Sequence, residues 1–207
     1  MRTILVVNPK GGSGKTTLAT NLAGYLARQN QRVMMWDLDQ QKSSLSWLAL
    51  RSPELPAITR LGSGREASQG DKQKNDWLVI DSAAGIQGKN LSYALKHAHK
   101  IIVPVQPSVF DMVVTRDFIN RLLEGKAIQK QEAFVGIVGM RVDPRTRAAS
   151  TLEQFLMQYD LPILTYLRDT MAYVNAAFNG KSIFDLPFYQ SEQELVQWQP
   201  LTKWVKS

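Results

Sequence analysis

The chain has 207 residues, 44% of them hydrophobic and 21% charged, a balance that supports a sizeable core and excludes disordered, collagen-like and low-complexity classes. It contains no cysteine, which removes disulfide scaffolds, thiolate zinc sites, cysteine-bound iron–sulfur clusters and cysteine nucleophiles, and fits a reducing cytoplasm. Lysine and arginine number 25 against 18 acids, a net charge of +7 that favours polyanions such as nucleic acid or acidic lipid.

The apolar run that ends at Val7 is far shorter than a secretory h-region. Nowhere do about 18 apolar residues run together, so neither export nor a membrane span is expected. Short β-branched runs then alternate with segments of helical period, as when strands buried on both faces are joined by crossover helices. Strands are predicted at Arg2 to Asn8, Arg32 to Leu38, Ala57 to Leu61, Trp77 to Asp81, Lys100 to Val105, Ala133 to Val142 and Ile163 to Tyr166. Helices are predicted at Lys15 to Gln29, Ser43 to Leu50, Asn90 to Lys96, Met112 to Gly125, Arg147 to Tyr159 and Gln193 to Lys206. Residues 62–76, rich in Gly, Ser, Lys, Gln and Asp, read as an exposed connection or a frayed helix. The economical architecture is α/β, with one domain over residues 1–207 built on a single doubly wound, mostly parallel sheet flanked by helices.

Asn8-Pro9-Lys10-Gly11-Gly12-Ser13-Gly14-Lys15-Thr16-Thr17 lies between the first strand and the first helix. Its glycines let backbone N–H groups turn inward around phosphate oxygens, and the helix start adds its positive dipole end. In this reading Lys15 neutralises the β- and γ-phosphates and the Thr16 hydroxyl ligates magnesium. The strict G-x-x-x-x-G-K-[ST] pattern fails, because Pro9 stands where its first glycine belongs. In its place is Lys-Gly-Gly-x-Gly-Lys-Thr-Thr, with a second lysine, Lys10, at the loop entrance.

Phosphoryl transfer also needs carboxylates, one to hold the metal and one to orient the attacking water, projected from the carboxyl ends of neighbouring strands. The apolar run Trp77 to Ile80 closes on Asp81, placed to hold magnesium, and alternation sends Asp37 and Asp39 to one side of the second strand.

With these residues in view, the chain resembles the ParA/MinD group of deviant-Walker ATPases, most closely the small ParA-type partition ATPases. The likeness runs over nearly the whole chain and is carried by Lys10 to Thr17, Asp37 to Gln41, the Asp81 strand, Val103 to Ser108 and Gly180 to Phe184. It implies a P-loop NTPase fold and a magnesium-dependent, partner-stimulated ATPase whose two subunits close face to face around two ATP molecules. By residue matching, Lys10 crosses to the partner's nucleotide, as an arginine finger does. Thr17 then contacts the α-phosphate, Asp39 positions the hydrolytic water, Asp37 lies near the magnesium shell, and Gly11, Gly12, Ser13 and Gly14 cradle the phosphates. Two departures stand out: Gln40 replaces the usual proline of Asp-x-Asp-Pro-Gln, and Ser82-Ala83-Ala84-Gly85 replaces Thr-Pro-Pro-Gly. Met140 and Arg141 occupy the place where family members read adenine.

The resemblance leaves three uses for ATP: positioning a cargo on DNA, oscillating on a membrane, or a metabolic ligation. The +7 charge, with Arg116, Arg121, Lys126, Lys130, Arg141, Arg145 and Arg147, fits sequence-independent attraction to DNA phosphates. Family likeness places Arg168 close to a DNA-contacting position, and Lys181 and Lys203 are added to it as candidate DNA contacts. A ParB-like or cargo-adaptor protein is the implied activator, and a cytoplasmic, nucleoid-associated location the implied setting. Leu195, Trp198, Leu201, Trp204 and Val205 recur at helical steps, a stripe read as packing onto the chain's own sheet in preference to a membrane anchor. His97 and His99 read as surface residues at a helix–strand junction, and no second substrate constellation for a ligase is evident.

Overall fold

The computed structural model describes residues 1–62 and 76–207. Its seven strands are β1 (Arg2–Val6), β2 (Val33–Asp37), β3 (Ile58–Arg60), β4 (Trp77–Asp81), β5 (Lys100–Val105), β6 (Phe134–Met140) and β7 (Ile163–Leu167). They form one sheet in the order β3-β2-β4-β1-β5-β6-β7, and every pairing is parallel. Parallel neighbours require crossovers. Helices in the crossovers are α1 (Lys15–Arg28), α2 (Ser43–Ala49), α3 (Gly88–His97), α4 (Val109–Leu123), the short α5 (Lys126–Gln129) and α6 (Arg147–Leu156), while α7 (Met171–Ala177) and the terminal α8 (Phe188–Lys206) follow the last strand.

The strands split their side chains between two cores, as a period of two requires. Ile4, Val6, Trp77 and Val79 face one layer with Leu18, Leu22 and Leu26 of α1 and with Trp198, Leu201 and Val205 of α8. Leu5, Val7, Leu78 and Ile80 face the other, with Phe118, Ile119 and Leu122 of α4 and Leu152 and Leu156 of α6. Because both faces are covered, the strands read as unbroken apolar runs rather than alternating ones.

The expected stripe of α8 packs on the sheet layer, with Trp198, Leu201 and Val205 buried, Leu195 and Trp204 partly buried, and the Trp198 indole N–H donating to the Tyr173 hydroxyl at 2.9 Å. α8 begins five residues earlier than predicted and runs through Pro200. Pro200 sits on the exposed side, where water can serve the carbonyl it leaves unpaired. α7 was not predicted: it is seven residues long and carries little apolar periodicity, and it starts at a Thr170 side-chain cap that accepts from Ala172 N at 3.2 Å. The connection expected at 62–76 lies, apart from its two ends, outside the described residues. No helix among the described residues is long and apolar enough to cross a membrane.

Candidate functional site

The carboxyl ends of β1, β2 and β4 converge, since Val6 and Asp37 are both register partners of Asp81. Between them and the start of α1 lies a cleft of about 890 Å3 lined by Gly11 to Thr17, Asp39, Gln40, Gln41, residues 83–87 and Arg141. The loop that forms its floor is held at several points. Asn8, fully buried, donates through Nδ2 to the Pro104 carbonyl at 2.7 Å and the Thr115 hydroxyl at 3.0 Å, while its Oδ1 accepts from Lys10 N at 2.8 Å. The Gln106 side-chain amide donates to the Gly12 carbonyl at 2.6 Å, and Gly85 N donates to the Pro9 carbonyl at 2.8 Å. Gly14 enters the helix at φ +96°, and a Cβ there would also come within 2.7 Å of the Met140 methyl, so only glycine serves.

Lys15 is buried, and its ammonium donates to the Lys10 carbonyl at 2.8 Å and to the Ser13 hydroxyl at 3.4 Å. Burial lowers its pKa, while the charges of Asp81 and Asp39 act to raise it. Lys10 itself is not among the residues lining its own cleft.

Three carboxylates converge here and are treated differently. Asp81 is 1% exposed, and neither of its oxygens has a hydrogen-bond partner among the described residues. Burial pushes its pKa up to about 7; the Thr16 and Ser44 hydroxyls and Lys15 favour the charged form, and the Asp37 charge opposes it. Those hydroxyls are near enough to act electrostatically without satisfying either oxygen geometrically. Asp37 is equally buried but fully engaged. Its Oδ1 accepts from Asp39 N at 2.8 Å, and its Oδ2 from Ser44 N, the Ser44 hydroxyl and Leu45 N at 3.1, 2.7 and 3.3 Å. It therefore anchors the first turn of α2. Asp39 lines the cleft, and its Oδ1 accepts from Gln41 N at 2.9 Å.

An orphaned buried carboxylate beside the Thr16 hydroxyl fits a hard divalent cation, which takes oxygen donors and offsets the cost of an unpartnered buried charge. Thr16 and Asp81 are the residues that could hold such a cation.

A second, more apolar pocket of about 420 Å3 shares Gly14, Thr16, Thr17 and Arg141 with the cleft. Met140, Trp47, Tyr173 and Phe178 wall it, with Arg168, Asp169 and Thr170 at the end of β7. Met140 is buried against Gly14, while Arg141 holds a left-handed φ of 55° and stands 3.6 Å from Asp169. A non-glycine residue at positive φ is uncommon, and here it marks the junction of the two cavities.

The sequence model of the CobQ/CobB/MinD/ParA nucleotide binding domain matches residues 4–183. The chain belongs to this family. Among relatives of this ParA/MinD-family domain, maintenance of carboxysome distribution protein A of Halothiobacillus neapolitanus is 26% identical over 190 residues, covering 89% of this chain and 87% of that one. The chromosome-partitioning ATPase Soj of Thermus thermophilus is 27% identical over 186 residues, covering 74% of each. The MinC:MinD cell division protein complex of Aquifex aeolicus shares the fold, with a TM-score of 0.77 at 19% identity over 98% of this chain and 96% of that one.

The predicted DNA contacts are scattered. Lys203 is exposed on α8, and Lys181 is half-buried with its carbonyl accepting from the Trp47 indole at 3.1 Å. Arg168 is committed elsewhere: its guanidinium meets the buried Glu194 carboxylate at 2.6 and 2.7 Å, and its backbone N–H donates to Gln197 at 3.1 Å. Sequence reasoning quoted Asn8 in the loop stretch and Gln106 in the Val103 to Ser108 run without giving either a role, and it passed over Ser44. Ser44 sits where helix-start hydroxyls belong, but nothing local shows what the Gln106 side chain does, because its partner is 94 residues away.

Proposed function

We propose that this ParA/MinD-family domain is a magnesium-dependent ATPase that dimerises with ATP, binds DNA without sequence preference and positions a cargo with the help of an activating partner. The observation that carries this reading is the convergence of Lys15, Thr16 and Asp39 on one cleft behind a glycine loop, with the buried, orphaned Asp81 acting on Thr16 and Lys15 from beneath it. Lys15 would hold the β- and γ-phosphates and Thr17 the α-phosphate, with the base directed to the apolar pocket beside Met140 and Arg141. Magnesium, held by Thr16 and Asp81, would neutralise charge developing on the transferred group. Asp37 would act on that metal through the position of Ser44 and through its charge. Asp39 would orient the attacking water. Lys10, outside its own cleft, would reach the partner's nucleotide and so tie hydrolysis to dimerisation.

The DNA reading rests on the +7 charge and on exposed Arg121, Lys130, Arg147 and Lys203. Doubling a weak basic patch in the dimer multiplies phosphate contacts and raises affinity steeply. Arg168 contributes little as a free cation, since Glu194 offsets it. Likeness to the carboxysome distribution protein favours, as a second reading, a protein assembly as cargo in place of a plasmid or chromosome. The burial of the α8 stripe argues against a membrane anchor there.

The test is size-exclusion chromatography and duplex-DNA binding at low salt with a non-hydrolysable ATP analogue. Wild type should dimerise and bind DNA only with the analogue, and Lys15→Ala should do neither. Lys10→Ala should bind nucleotide without stimulated hydrolysis, and Asp39→Ala should accumulate as the ATP-bound dimer. Equal DNA binding in the ATP and ADP states would sink the reading.

A further inference from the structure

We propose that Gln106 is a positioning residue that sets the crown of the phosphate loop from the β5–α4 connection, an inference that rests on the nucleotide reading of the cleft. Its side-chain amide donates to the Gly12 carbonyl at 2.6 Å, across 94 residues of sequence. Gly12 holds φ +76°, where no side chain constrains the loop, so this contact substitutes for the stiffness that glycine gives up.

A trans peptide points its C=O and its following N–H in opposite directions. The peptide bonds here are trans. Holding the Gly12 carbonyl toward Gln106 therefore turns the Ser13 N–H to the opposite side. The cleft is lined by Gly12 and Ser13 but not by Gln106. A backbone donor with a fixed direction is what a phosphate cradle requires.

The tether is itself stiff. The Gln106 carbonyl accepts from Ser108 N at 2.8 Å, Pro107 fixes its own φ, and Met112 N donates to the Ser108 carbonyl at 2.9 Å as α4 begins. Asn8 secures the loop entrance from the same β5–α4 unit through Pro104 and Thr115. The two braces differ in kind: Asn8 is fully buried and belongs to the folded core, whereas Gln106 is half-exposed and its bond can be given up without unfolding anything. Gln106 thus acts on nucleotide through the direction of a loop N–H, without touching it.

The experiment compares wild type with Gln106→Ala, Gln106→Glu and Gln106→Lys, measuring fluorescent ATP-analogue binding, melting temperature and amide hydrogen exchange of residues 10–15 in nucleotide-free protein. Gln106→Ala should weaken nucleotide binding roughly fivefold, the worth of one hydrogen bond, speed exchange in the loop and leave the melting temperature in place. Gln106→Glu, which sets an acceptor against a carbonyl, should match or exceed that loss, and Gln106→Lys, which keeps a donor, should restore the protection. Affinity within twofold of wild type with unchanged exchange, or a loss that merely tracks a lower melting temperature, would overturn the proposal. Failure of wild type to bind the analogue would instead overturn the functional reading, with the exchange measurement still deciding whether the brace exists.

Discussion

Asp37 and Asp81 end neighbouring strands, stand in register with each other and are both almost completely buried, yet they are used in opposite ways. Asp37 accepts four hydrogen bonds and fixes how α2 leaves the sheet. Asp81 accepts none among the described residues. A buried carboxylate without partners is a cost the fold alone does not explain, whereas one with four donors is part of the scaffold. The contrast separates a residue that builds the scaffold from one that the scaffold leaves without a hydrogen bond among the described residues.

The largest expected effect tests the scaffold side. Asp37→Ala strands three backbone N–H groups and the Ser44 hydroxyl, so denaturant melts should show a loss of about 4 kcal/mol. Asp81→Asn should move in the other direction in nucleotide-free, metal-free protein. Its folded pKa, pushed up to about 7, lies above the unfolded carboxylate value. Below about pH 4 the two states are protonated alike and nothing is lost; stability then falls as pH rises through 7. The advantage of Asn over Asp should therefore be absent near pH 4 and complete above pH 7. Its size is on the order of 2 kcal/mol, less than the full linkage value because an Asn amide there is itself short of partners. If the advantage were independent of pH, Asp81 would not be the strained group.

The same Asp81→Asn variant should lower magnesium-dependent ATP hydrolysis by roughly a hundredfold or more in steady-state assays. A variant both more stable and nearly inactive is the expected signature of an open site. The smallest effect concerns the surface. Arg168→Ala should cost about 1–3 kcal/mol in stability by leaving Glu194 buried without its cation, with little change in the salt dependence of DNA binding. Lys203→Ala should do the reverse, lowering the slope of log affinity against log salt by about one without moving the melting temperature.

Where the candidate site is built from a contiguous run, its placement was legible in the amino-acid order. The β1–loop–α1 unit and the strand ending at Asp81 lie within short stretches, and the local rules of strand, glycine turn and helix start apply to them directly. All seven predicted strands exist, because uninterrupted apolar runs are a strong signal for a sheet covered on both faces. The mixed character allowed for the sheet resolves to fully parallel. Short α5 and α7 escaped notice because brief helices have weak periodicity, and the early start of α8 because its first residues, Phe188 to Gln190, are exposed and carry no core-facing stripe.

By itself, then, the order of residues determined the fold class, the glycine loop between β1 and α1 and the positions of three acids at or just past strand ends. Tertiary structure alone decided how those acids are employed: Ser44 closes on Asp37, and Asp81 is left without a hydrogen bond among the described residues. It also decided that Arg168 neutralises Glu194 and that Gln106 reaches back to Gly12. The physical reason is that a charge or an amide is defined by its partners, and these partners come from segments 7 to 94 residues distant that meet only when the sheet is assembled.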